Sequence, residues 1–180
     1  YMHARLIDHR GLMSRALSPL AELAQARGDA ARATMLLEEA LTTVQAIGIT
    51  WDIPIISTLL GHLARQQHHY ALARARYREA LALYRTFGSP TYTATCLEGF
   101  SATLCAEGYY AQATRLCAAA STLRKQAQTP LPPAEREPFE QTLAAAKASV
   151  DESTFGQEWT IGARLTHDQA IDYALSDACG

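Results

Sequence analysis

Leu60-Gly61, His68-His69-Tyr70-Ala71-Leu72-Ala73, Tyr77 and Ala80 make up the stretch whose reading decides the fold. The same pattern recurs at a spacing of 40 residues on either side. Gly28-Asp29-Ala30-Ala31-Arg32-Ala33 and Gly108-Tyr109-Tyr110-Ala111-Gln112-Ala113 superpose on His68–Ala73 without gaps. Seven residues after each final alanine stands another: Ala40, Ala80 and Ala120. Eight residues before each turn a large side chain (Leu20, Leu60, Phe100) is followed by a small one (Ala21, Gly61, Ser101). Gly48 and Gly88 also share one phase, which Gln128 occupies in the third copy. Self-similarity at a fixed period of this length is the mark of stacked supersecondary units.

Each recurring position has a physical meaning. The turn residue Gly28, His68 or Gly108 ends a first helix, where a left-handed backbone is wanted and glycine supplies it most cheaply. The paired alanines lie two turns apart on one face of a second helix, and their small side chains let a neighbouring helix approach closely. Gly48 and Gly88 stop that second helix. The unit is a helical hairpin that cannot bury its apolar face alone, so it stacks on its neighbours. Pro19 breaks the pattern: either Ser18 caps a helix that Pro19 opens, or the helix is kinked there.

Leu60-Gly61, Tyr70, Ala73, Tyr77 and Ala80 resemble the signature of the tetratricopeptide repeat, and the other two copies keep both alanines. A unit of 40 residues implies a longer second helix than the usual 34, as in the repeat regions of LuxR/MalT-like regulators. The expected fold is therefore all-α, a right-handed superhelical array of antiparallel helical hairpins with a C-terminal helical cap. The expected boundaries are a repeat array over 1–128 and a capping segment over 129–180. Within the array, 1–10 is the end of a truncated preceding repeat, because Tyr1–Asp8 falls on Leu41–Gly48 when shifted by 40. Full repeats then occupy 11–48, 49–88 and 89–128.

Composition agrees with helix. Of 180 residues, 34 are Ala and 22 are Leu against 2 Val, which starves any sheet of its usual residues. No apolar run approaches the length of a membrane span. The net charge of −2 argues against a general binder of nucleic acid or anionic membranes. It hides a split: 1–128 carries thirteen Lys/Arg against nine Asp/Glu, and 129–180 three against nine. Cys96, Cys105, Cys117 and Cys179 show no C-x-x-C pair and no zinc spacing, so reduced structural thiols in a cytoplasmic protein are expected.

In the C-terminal segment, Pro133 opens an amphipathic helix over 133–150 with Phe139, Leu143, Ala146 and Val150 on one face. A short helix follows over Phe155–Ala163. A last helix runs through Leu175, with Thr166 as N-cap and Gln169 completing a capping box. The run Pro130-Leu131-Pro132-Pro133, the Phe/Trp helix and Leu165-Thr166 to Leu175 resemble the tail that closes the helical region of many bacterial ATPase regulators and LuxR-type activators. That resemblance implies a place in signal transduction and transcription regulation, within a protein whose NTPase and DNA-binding modules lie outside these residues. The tail is expected to dock around Leu116 and Cys117 through Phe139, Leu143, Phe155, Trp159, Ile171 and Leu175.

No phosphate-cradling glycine loop, nucleophile elbow or nucleophile–base pair is present, so no catalysis and no cofactor are expected. His62, His68 and His69 lack a third ligand at metal spacing. Arg74, Arg78 and Arg85 form a basic stripe that reads as a solvated outer face, and Tyr70, Tyr77 and Tyr84 read as repeat core. In tetratricopeptide arrays the first helices line a concave surface. Carried over by position, the resemblance puts Arg15, Ser18, Glu22 and Gln25 there from the first repeat, Ile55, Thr58, His62 and Arg65 from the second, and Thr95, Glu98 and Ala102 from the third. Of these Arg15, Glu22, Gln25, Thr58, His62, Arg65 and Glu98 are the candidate binding residues. The expected partner is a protein or peptide, with a small-molecule inducer implied by the MalT-like resemblance; neither nucleic acid nor membrane is expected to touch this segment. A free-standing adaptor holding a peptide is the alternative to a regulator's repeat region.

Overall fold

The structure, a computed structural model, describes residues 17–48 and 50–179, apart from the Asp177 side chain. The expected remnant of an earlier repeat at 1–10 and the groove position Arg15 lie outside the described residues. Among the described residues the regular structure is entirely helical: α1 (described over 17–26), α2 (Ala30–Ile47), α3 (Asp52–Gln66), α4 (Tyr70–Phe87), α5 (Pro90–Ala106) and α6 (Tyr110–Ala127). The tail adds α7 (Pro133–Ser149), α8 (Glu152–Arg164), α9 (His167–Leu175) and a 3-10 turn at Asp177–Cys179. Ser18 is already helical, so it is not the N-cap of a helix opened by Pro19.

A left-handed residue stands every 20 positions: Gly28, Gly48, His68, Gly88, Gly108 and Gln128, with φ between 54° and 89°. Those at Gly28, His68 and Gly108 close the same motif three times. The turn N–H bonds back three residues (2.9, 2.9 and 3.1 Å), and the next N–H bonds back five, to Ala24, Ala64 and Leu104 (2.9, 2.8 and 2.9 Å). This pair of bonds satisfies the last carbonyls of the first helix and aims the chain into the second. The register of the repeat is confirmed by packing: Ala33, Ala40, Ala73, Ala80, Ala113 and Ala120 are all fully buried.

The chain divides into two compact units, one ending at Arg76 and the other beginning at Tyr77, within α4. In the first, α1, α2 and α3 enclose a core of Ala21, Ala24, Leu37, Val44, Ile56, Leu60 and Leu63. In the second, α5 and α6 form the closest-packed hairpin around Leu97, Phe100, Leu104, Leu116 and Leu123. Tyr77 stacks on Phe100 with centroids 6.0 Å apart, and Tyr84 stacks on Tyr92 at the same distance, so the expected aromatic core holds for Tyr77 and Tyr84. Tyr70 is only half-buried, its hydroxyl 2.8 Å from His68 Nδ1.

The tail is not a fourth hairpin. α7 and α8 barely touch each other; α8 lies along α6 instead, and α7 rests on α5 and α6. At Gly162 the two helices approach so closely that an added Cβ would sit 2.1 Å from the Arg115 carbonyl oxygen. The capping box at Thr166 and Gln169 is formed as expected. Of the residues expected to dock, Ile171 is fully buried, whereas Phe139, Leu143, Phe155, Trp159 and Leu175 are half-buried.

Candidate functional site

In the first unit the candidate residues lie on α1 and α3. Glu22 and Gln25 are one turn apart, and Thr58, His62 and Arg65 recur at helical spacing, so each set shares a face. Gln25 Nε2 donates to Gln66 Oε1 (2.9 Å), tying the two helices together. Thr58 is buried and donates its hydroxyl to the Pro54 carbonyl (2.8 Å). Glu22 is exposed. Burial, with the Arg65 guanidinium nearby, lowers the His62 pKa to about 4, so its imidazole is neutral at pH 7. Arg65 is half-buried, and its Nε is shielded from solvent without a hydrogen-bond partner. A guanidinium donor left unpaired out of water is costly, and an incoming acceptor relieves it.

In the second unit Thr95, Glu98 and Ala102 lie on α5. Glu98 accepts from Arg124 twice (Nε to Oε1 2.5 Å, Nη2 to Oε2 2.7 Å), and Arg124 Nη2 also donates to Thr95 Oγ1 (3.0 Å). Burial raises the Glu98 pKa while the arginine opposes the rise. This pair forms one side of a cavity of about 400 Å³ that is bounded by the last turns of α6, the linker and Phe139 of α7. Arg124 is invisible to the repeat pattern, since no other copy carries a basic residue there: Val44 and Tyr84 hold its place.

The tail is fastened by polar contacts of its own. Arg115 grips Glu158 through two nitrogens (2.6 and 2.9 Å) and lies 4.5 Å from the Tyr173 ring centroid. Thr122 donates to the Ala163 carbonyl (3.2 Å). Arg78 bonds to the Leu175 and Ser176 carbonyls, and Arg85 pairs with Asp172. Two arginines of the expected solvated stripe therefore hold α9, whose final carbonyls need donors. Thr93 Oγ1, His167 Nε2 and Asp168 Oδ1 form a hydroxyl–imidazole–carboxylate line (3.0 Å to Nε2, then 3.0 Å from Nδ1 to the carboxylate). Thr93 is fully buried, so no substrate reaches its oxygen and the line acts as a tether for α9.

Elsewhere among the described residues no group of three His, Cys, Asp or Glu is placed to hold a metal ion, and no helix is long and apolar enough to cross a membrane. All four cysteines are free and buried, and burial pushes the Cys117 thiol up to about 12.

One face stands out by comparison between copies. Leu20 is 50% exposed where Leu60 and Phe100 are 4% and 0%, and Leu23 is 46% exposed where Leu63 is 2%. Leu20 and Leu23, with Leu36, Arg27, Asp29 and Arg32, border a second cavity of about 470 Å³.

A hairpin array with these turns and buried alanines is a tetratricopeptide-like helical array. Residues 12–86 match the family model described as tetratricopeptide repeat. The match spans the turns at Gly28 and His68 and stops before α5, so the third hairpin is identified by its identical turn bonds and buried alanines. No curated protein and no solved structure matches the chain.

Proposed function

We propose that this chain is a non-catalytic interaction scaffold whose first-helix face binds a peptide. The observation that carries the reading is Arg65: a half-buried guanidinium with an unpartnered, solvent-shielded Nε, beside the neutral imidazole of His62 and the Gln25–Gln66 amide pair. Such a set offers donors and acceptors to a peptide backbone or a carboxylate. In this reading 1–128 acts as the array and 129–180 as its cap, with Glu22 at the rim of the surface. The test is selection of peptides from a random display library on the folded chain, with mapping by amide chemical shifts. Selected peptides are expected to shift Gln25, His62 and Arg65, and Arg65→Met to weaken them at least tenfold with melting unchanged. Peptides that bind the mutant equally well sink the proposal.

A second part of the reading is that these hairpins belong to a longer array within a regulator or signalling ATPase, rather than a free-standing adaptor. The exposure of Leu20 and Leu23, at positions covered in the other copies, supports the longer array, because an exposed hairpin face is what a further repeat packs upon. Leu20→Glu with Leu23→Glu is expected to improve solubility of this chain alone and to destabilise a protein in which further repeats precede it. Equal melting of that longer protein with and without the two changes counts against a repeat packed on this face.

A further inference from the structure

We infer that the cavity beneath the Pro-rich linker is a binding site for a small apolar body carrying one carboxylate, separate from the first-helix face. Its volume, about 400 Å³, lies in the range of small-molecule sites. Three kinds of wall meet there. Leu131 and Phe139 supply the apolar side, and Pro130 belongs to a linker stiffened by Pro132 and by Pro133 at the first turn of α7. The Glu98–Arg124 pair also lines the cavity and is already satisfied, since both carboxylate oxygens and two guanidinium nitrogens are engaged.

The remaining polar groups are uncommitted. Ser121 and Lys125 lie one turn apart near the end of α6 and Gln128 is its left-handed cap; none makes a side-chain hydrogen bond or ion pair among the described residues. Lys125 is the single charge on the cavity wall not already neutralised by a partner. An anionic head beside Lys125, with an apolar tail against Leu131 and Phe139, matches that distribution; a cationic head there meets a like charge that no partner neutralises. The cavity is too small for a folded partner. The carboxylate therefore comes from a free acid or from the last residue of a peptide with a bulky apolar side chain.

Titration of the whole chain with 4-phenylbutyrate and with 4-phenylbutylamine, followed by calorimetry and amide chemical shifts, tests the site. Saturable binding of the acid is expected, mapped to α6 and α7, with the amine at least tenfold weaker. Lys125→Met should bring the acid down to the level of the amine. Ser121→Phe, which fills the space, should remove both while the chain still melts cooperatively. A tetrapeptide ending in Phe, free or amidated at its carboxyl terminus, separates the sources. Tighter binding of the free peptide than of phenylbutyrate assigns the site to peptide termini, and equal or weaker binding assigns it to free acids. No saturable binding by acid or peptide, equal affinity for the amine, or an unchanged Lys125→Met variant overturns the inference. Arg65→Met should leave phenylbutyrate binding intact, so failure here and failure of the peptide-face reading are read separately.

Discussion

At the scale of single residues, the six left-handed positions do different work for the same φ. An added Cβ at Gly108 meets nothing within 4 Å, so Gly108→Ala isolates the backbone penalty, expected at about 1 kcal/mol. Gln128 accepts that penalty with a side chain in place, and Gln128→Gly is expected to stabilise the chain by up to about 1 kcal/mol in urea unfolding. His68 is the less clean test, because its ring also meets Tyr70. His62 makes stability depend on pH. The unfolded imidazole takes a proton below about 6.5, the folded one only near 4, so stability falls as pH drops through that window. His62→Gln should flatten this part of the urea-midpoint profile; an equal slope in both proteins rejects the assignment. The turn residues were legible because a left-handed cap restricts composition. The buried Arg124 was not, because the period that reveals shared residues hides those that only one copy has.

At the scale of elements, helix ends were easier to read than helix docking. Thr166 and Gln169 announce the start of α9 by local chemistry, and the structure forms both bonds. Nothing local announces that α8 lies along α6, since Gly162 in a helix reads as a weakness until its contact with the Arg115 carbonyl is seen. Gly162→Ala is therefore expected to cost at least about 3 kcal/mol, the upper end for overpacking, because backbone and not a movable side chain opposes the new methyl. Ala80→Leu, on the fully buried face of α4, should cost about 1–3 kcal/mol by the same route. Thermal melts decide both. For α7 the amphipathic pattern overstated burial: Ala146 alone is fully buried, and the half-covered Phe139 is what leaves a cavity beside α6.

At the scale of the whole molecule, the tail covers the last hairpin with α8 and anchors α9 through Arg78, Arg85 and Arg115. Deleting 129–180 is expected to lower the melting temperature sharply or to cause aggregation, measured by light scattering. A monomeric truncation with an unchanged melt would make the tail a separate module. The even spacing of left-handed residues carries a different implication. The segments 29–68 and 69–108 each follow a left-handed turn residue and end on another with the same turn bonds, so a block of 40 residues is a transferable part. A gene in which residues 69–108 are copied in tandem joins two junctions that already match, at Gly108 and His69, and its product gains a hairpin without a new loop to design. A copy one residue shorter turns every following helix by about 100°, facing its alanines away from the neighbour. Lengthening of this chain by duplication is thus confined to whole units, and a tandem copy of 69–108 should fold cooperatively where a copy of 70–108 does not.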